Sequence, residues 1–179
     1  AGAHGQSQDT SAPTRASLAA PRRGRFSAFG RPSHSDMRIS ELQTRLRALG
    51  AKPLHEQRFL RCWAQALPMD AGKQRGEDFW PRALHEAMPA LRAELQALGT
   101  LRSQHPGEDG SARLLLGLAD AQTVEAVLLP RDGLCVSTQV GCAVGCVFCM
   151  TGQGGLIRQV GSAEIVAQVA LARTMRPVK

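Results

Sequence analysis

Cys142, Cys146 and Cys149 stand at C-x3-C-x2-C spacing in the stretch CAVGCVFC. Thiols at this density either hold metal or carry out redox chemistry. A structural zinc site needs four ligands in a closed tetrahedron. No histidine follows His105, so the local candidate for a fourth ligand is Cys135, which extends the pattern to C-x6-C-x3-C-x2-C. A redox pair formed by Cys146 and Cys149 leaves Cys142 without a role. The remaining possibility is a 4Fe–4S cluster held by three thiolates, with the fourth iron open to a small molecule. Gly141 and Gly145 let a tight backbone turn around such a group.

The elements that must position this loop follow from the apolar pattern. ARLLLGLAD and TVEAVLLP are short β-compatible runs separated by AQ, which reads as a hairpin, and GLCVST reads as a third strand. The cysteine loop comes next. SAEIVAQVALARTM then reads as a helix with Ser162 as N-cap and an apolar face of Ile165, Val166, Val169 and Ala170. Strand, metal-type loop and helix together form the opening unit of an α/β domain.

Upstream the period is helical. Ile39, Leu42, Leu46 and Leu49 recur at helix spacing, and Gly50 stands where a C-terminal glycine belongs. A second helix is expected from Pro53 through Leu60 and Trp63 to Leu67, followed by the loop PMDAGKQRGED. Trp80, Leu84 and Met88 share one face, as do Leu91, Leu95 and Leu98. Pro89 predicts a break between the two groups. Trp63 and Trp80 read as core residues, Cys62 as a buried thiol, and GTLRSQHPGEDGS as a linker.

Residues 1–35 are rich in Gly, Ser, Pro, Ala and Arg with a single acid, and are expected to be a disordered basic tail. Arg22, Arg23, Arg25 and Arg31 would let it track phosphates, and a transit peptide has a similar composition. Residues 36–100 are expected to form a helical module and 101–179 the start of an α/β domain. The 179 residues carry a formal charge of +7, about half of it in the tail, which suits a polyanionic partner such as nucleic acid. No apolar run approaches the ~20 residues of a membrane helix. Five cysteines, most of them in one short segment, do not form a secreted disulfide framework, and a reducing cytoplasm fits better. The chain lacks an initial methionine and stops just after a helical pattern, so a portion of a longer protein is expected.

The segment VEAVLLPRDGLCVSTQVGCAVGCVFCMTGQGGLIRQVGSAEIVAQV closely resembles the RlmN/Cfr family of radical-SAM RNA adenine methyltransferases. The resemblance spans roughly 36–179. Its most specific piece is LCVSTQVGC joined to GCVFCMTGQGG, with an extra cysteine seven residues before the cluster motif. It implies a fold with a helical accessory domain and a β-hairpin leading into the first strand–loop–helix unit of a radical-SAM (β/α) partial barrel. It implies methylation of an adenine carbon, C2 or C8, in 23S rRNA and also in tRNA. The cofactors implied are a 4Fe–4S cluster and S-adenosylmethionine, with an external reductant such as flavodoxin or ferredoxin and a monomeric state.

By the same resemblance Cys142, Cys146 and Cys149 are the cluster ligands, and Phe148 is the aromatic beside S-adenosylmethionine. In the family's scheme a cysteine near the C-terminus is methylated, its methyl group becomes a carbon radical that joins adenine, and a second cysteine releases product by forming a disulfide. Cys135 corresponds to that second cysteine. Glu125 matches the glutamate of the family's VET segment and is implied in proton handling near the base. A plain surface carboxylate is the alternative. Ser137 and Gln139 line the same segment, and Arg158 matches an arginine implied in phosphate contact, with a solvated arginine as the alternative. Gln159, Met150 and Leu156 depart from the family's usual residues. The sequence also holds neither the family's GMGEP-type segment nor the methyl-carrying cysteine, so turnover by these residues alone is not expected. The competing reading is a basic RNA-binding module with a structural four-cysteine zinc site.

Overall fold

Helices begin and end where hydrogen bonds can close them. The structure is a computed structural model that describes residues 37–69 and 79–176. The expected tail 1–35 and most of the PMDAGKQRGED loop lie outside the described residues. Residues 32–179 form one compact unit.

Helix α1 (Ile39–Ala48) buries Leu42 and Leu46 completely. It closes as expected at Gly50: the Gly50 N–H donates to Arg47 O at 2.9 Å and the Ala51 N–H to Leu46 O at 3.0 Å. Helix α2 (Pro53–Ala64) starts with Pro53 at its first position but ends three residues before the expected Leu67. Ala66 turns left-handed (φ 53°), and the Leu67 N–H donates to Cys62 O at 2.8 Å, the same closing geometry made without a glycine. Helix α3 (Arg82–Ala97) runs straight through Pro89, contrary to the expected break. Leu84, Met88, Leu91 and Leu95 are buried on both sides of the proline, which itself is exposed. Packing along the whole face outweighs one missing hydrogen bond.

The first sheet is antiparallel in the order β1-β2-β3-β4. Strand β1 (Thr100–Pro106) occupies the segment read as a linker. It is almost wholly exposed, so it carries no apolar alternation, and pairing with β2 (Ala112–Gly117) makes it a strand. Strand β2 pairs with β3 (Thr123–Leu128) in the expected hairpin, with five connecting residues where two were expected. Strand β4 is only Leu134–Cys135, set opposite Leu128 and Val127. A second sheet is a two-stranded ribbon of β5 (Gln139–Gly141) and β6 (Leu156–Gln159), which sequence reasoning did not foresee.

Helix α4 (Ser162–Thr174) joins the two halves of the core. Ala163, Ala167 and Ala170 pack with Phe59, Trp63, Trp80 and the leucines of α1–α3. Ile165, Leu171, Ala172 and Met175 pack with Leu114, Leu116, Val124 and Val140 of the sheets. The expected single apolar face is therefore wrong: α4 is packed on two sides, and its fully buried positions include Glu164 and Gln168. Ser162 does not cap its own helix, because Gly161 is the N-cap. Its Oγ instead accepts from the first N–H of α1, at Ile39, at 2.9 Å. The described residues combine helices with antiparallel sheets in a partial α/β arrangement. None of their helices is long and apolar enough to cross a membrane.

Candidate functional site

The cysteine loop hangs from the β5–β6 ribbon. Gln139 faces Gln159, Val140 faces Arg158, and a bulge brings Gly141 opposite Leu156. The Cys142 N–H then donates to Gly155 O at 3.1 Å, so the three cysteines lie on a segment closed at its base. Gly141 (φ 73°) presses against the Gly155 carbonyl oxygen, where any Cβ would collide with it.

Within the loop the backbone coils on itself. The Cys149 N–H donates to Cys146 O at 3.0 Å, the Gly152 N–H to Cys149 O at 3.2 Å, and the Gly155 N–H to Gly152 O at 3.1 Å. The Val144 N–H donates to the Cys142 Sγ at 3.5 Å. The Cys149 thiol is shifted below its ordinary value. Hydrogen bonds from the Gly152 and Thr151 backbones and the Thr151 side chain outweigh the opposing effects of burial and of the Glu125 charge. All five cysteines are free thiols, and the three on the loop are half-buried. Around them Val144, Val147, Phe148 and Met150 stand exposed, Val147 by 96% and Phe148 by 88%. Four apolar side chains in water on one short loop mark a surface made to be covered.

A soft metal or iron–sulfur group suits the donor set: thiols only, on one loop, one of them with a lowered pKa. Among the described residues, no group of three or more His, Cys, Asp or Glu side chains converges tightly enough to hold a metal ion as the loop stands. Cys142, Cys146 and Cys149 share the loop, whereas Cys135 belongs to the other sheet.

Cys135 and Glu125 lie on the same open face of the first sheet. Cys135 is opposite Val127 on β3, and Glu125 is two residues from Val127, so both point to the side away from the buried Val124, Ala126 and Leu128. Cys135 is exposed. Glu125 forms a loose ion pair with Arg113, 3.8 Å away. The Ser137 hydroxyl donates to Glu125 O at 2.6 Å, and Gln139 sits in the ribbon.

Arg158 is not available for phosphate as the resemblance implied. Its guanidinium donates to Asp120 at 2.8 Å and to both Glu164 oxygens at 2.8 Å, and the two carboxylates raise its pKa. Sequence reasoning passed over Glu164 and Gln168. The available signal was a carboxylate and an amide four residues apart in an otherwise apolar helix.

No protein-family model matches the chain. Among curated proteins, a probable RNA methyltransferase of Leptothrix cholodnii is 73% identical over 143 residues, 80% of this chain and 41% of that protein. The chain is homologous to these probable RNA methyltransferases. A second, from Azoarcus sp., is likewise 73% identical over 143 residues, covering the same shares. A third, from Stutzerimonas stutzeri, is 64% identical over 145 residues, 80% of this chain and 42% of that protein. The chain thus spans about two fifths of the length of the curated relatives it matches. Among solved structures, a radical SAM methyltransferase from Sphaerobacter thermophilus superposes with a TM-score of 0.54 at 30% identity. That match covers 79% of this chain and 41% of the other.

Proposed function

We propose that this chain serves a radical-SAM RNA methyltransferase that methylates an adenine carbon, C2 in preference to C8, in 23S rRNA and in tRNA. The observation that carries the reading is the separation of thiols: three on one ribbon-held loop, and a fourth, Cys135, exposed on a different sheet. The homology to proteins named as RNA methyltransferases and the likeness to a radical SAM methyltransferase support it.

In this reading Cys142, Cys146 and Cys149 would hold a 4Fe–4S cluster, with S-adenosylmethionine bound beside it. Bound there, the two would supply the one-electron chemistry that an unactivated adenine carbon requires. The chain's own residues do the rest. Phe148, exposed between two ligands, offers an apolar surface to cover S-adenosylmethionine. Glu125, on the open face of the first sheet, moves a proton at the base. Cys135 on the same face is the thiol that pairs with a second cysteine sulfur to release product. The residues before Thr100 form a helical accessory domain that grips folded RNA, and a basic chain favours that partner. The protein acts as a monomer, reduced by a small donor such as flavodoxin or ferredoxin.

Anaerobic reconstitution with iron and sulfide tests the reading. Cys135→Ala is expected to keep the visible absorption of an iron–sulfur cluster, while Cys146→Ala loses it. One zinc per chain that disappears in Cys135→Ala would replace the proposal with a four-cysteine zinc module.

A further inference from the structure

Helix α4 carries two polar side chains that solvent does not reach. Glu164 and Gln168 are each 0% exposed and stand one helical turn apart. A buried amide or carboxylate costs several kcal/mol unless its hydrogen bonds are met, and here every one is met by backbone or guanidinium.

Those partners lie on the chain that enters the cysteine loop and on the chain that leaves it. The Gln168 side-chain oxygen accepts from the Ser137 N–H at 3.0 Å, and its NH2 donates to the Ser137 carbonyl at 2.9 Å. Ser137 is the residue two before β5, and its hydroxyl is held in turn by the Glu125 carbonyl. The two bonds from Gln168 copy the pairing a neighbouring strand would give, so they fix the chain both along its length and across it. Glu164 accepts from Arg158 on β6 through both oxygens at 2.8 Å, and from the Gly161 N–H at 2.7 Å. Arg158 is tied further to Asp120 in the β2–β3 turn at 2.8 Å. Arg158 faces Val140 directly across the ribbon. The chain entering the loop and the chain leaving it are thus both fastened to consecutive turns of one helix.

We propose that Glu164 and Gln168 are positioning residues for the cysteine loop. They set the spacing of its two ends so that three thiols meet one metal cluster. Apolar packing would hold α4 in the core equally well but would let the strands slide. Directional hydrogen bonds to both ends remove that freedom, and residues that orient ligands in this way change metal affinity by about 10–100-fold when lost. The inference rests on the cluster reading above.

The test is anaerobic reconstitution of the full chain, followed by the rate at which an iron chelator strips the cluster, with thermal unfolding of each variant measured in parallel. Gln168→Met and Glu164→Gln are expected to release iron about tenfold faster than wild type. Gln168→Glu, whose protonated carboxyl offers the same acceptor and donor, is expected to fall between. Leu46→Ala, which opens the helical cluster but removes none of the hydrogen bonds to the two ends of the loop, is the control: it lowers the melting temperature but keeps the wild-type release rate. Wild-type rates in both Gln168→Met and Glu164→Gln overturn the proposal. So does equally fast release from Leu46→Ala, because general destabilisation would then account for the effect. A wild-type chain that assembles no cluster defeats the underlying reading instead, and that result is distinct from either.

Discussion

Gly141 lies against the carbonyl oxygen of Gly155 so closely that no side chain fits between them. This contact closes the base of the cysteine loop, with the neighbouring bond from the Cys142 N–H to Gly155 O. Gly141→Ala therefore meets two obstacles, a left-handed backbone at φ 73° and a collision with backbone that cannot move aside. Gly145 is also left-handed (φ 64°), but a Cβ added there would meet nothing within 4 Å. Urea unfolding should show Gly145→Ala costing about 1–2 kcal/mol, the backbone penalty alone, and Gly141→Ala costing clearly more. Equal costs at the two positions would mean that the close approach carries no constraint.

The ion pair between Arg158 and Glu164 is buried at its acidic end: the Glu164 side chain is 0% exposed and that of Arg158 is 18% exposed. Removing the cation strands a carboxylate in the core, so Arg158→Ala should lower stability by about 3–5 kcal/mol in denaturant titrations. Replacing both residues by methionine should recover most of that loss, because the penalty comes from the orphaned charge. A cost below about 1 kcal/mol for Arg158→Ala, typical of exposed pairs, would contradict the buried network.

Helix α3 keeps its course through Pro89, leaving the His85 carbonyl without its helical donor on the exposed side. An alanine there restores the bond and removes the ring. Pro89→Ala should therefore raise unfolding stability by about 3 kcal/mol with unchanged helix content by circular dichroism. A lower denaturation midpoint would show that the proline is needed for the packing of Leu84, Met88, Leu91 and Leu95.

What the sequence disclosed depended on whether the signal was local. Leu42, Leu46 and Gly50 specify α1 and its end within a dozen residues, and the structure agrees. The end of α2 was overshot because Ala66 adopts the left-handed conformation that glycine usually announces. Strand β1 was hidden because neither face is buried; its identity comes from its partner β2, not from its own residues. The cysteines of the candidate site were legible from spacing alone. Their support was not: Glu164 and Gln168 bond to Arg158 and to Ser137, the latter thirty-one residues away in sequence, and composition gives no sign of such a pairing. The role of Arg158 was misread for the same reason, since its carboxylate partners come from a turn and a helix.

The surroundings of Cys149 lower the pKa of its thiol, and this gives a prediction that needs no cluster. The Gly152 N–H is the largest cause, followed by the backbone and side chain of Thr151, while burial and the Glu125 charge oppose them. The thiolate is the nucleophile, so the alkylation of Cys149 by iodoacetamide, followed against pH by mass spectrometry of the digested protein, reads this shift. A depressed thiol pKa also moves the midpoint of its rate–pH curve to lower pH. Thr151→Val, which removes the side-chain donor, should shift that midpoint upward. Glu125→Gln, which removes the opposing charge, should shift it downward. A midpoint that ignores Glu125→Gln would separate the open face of the first sheet from the cysteine loop, and with it the proton-handling role proposed for Glu125.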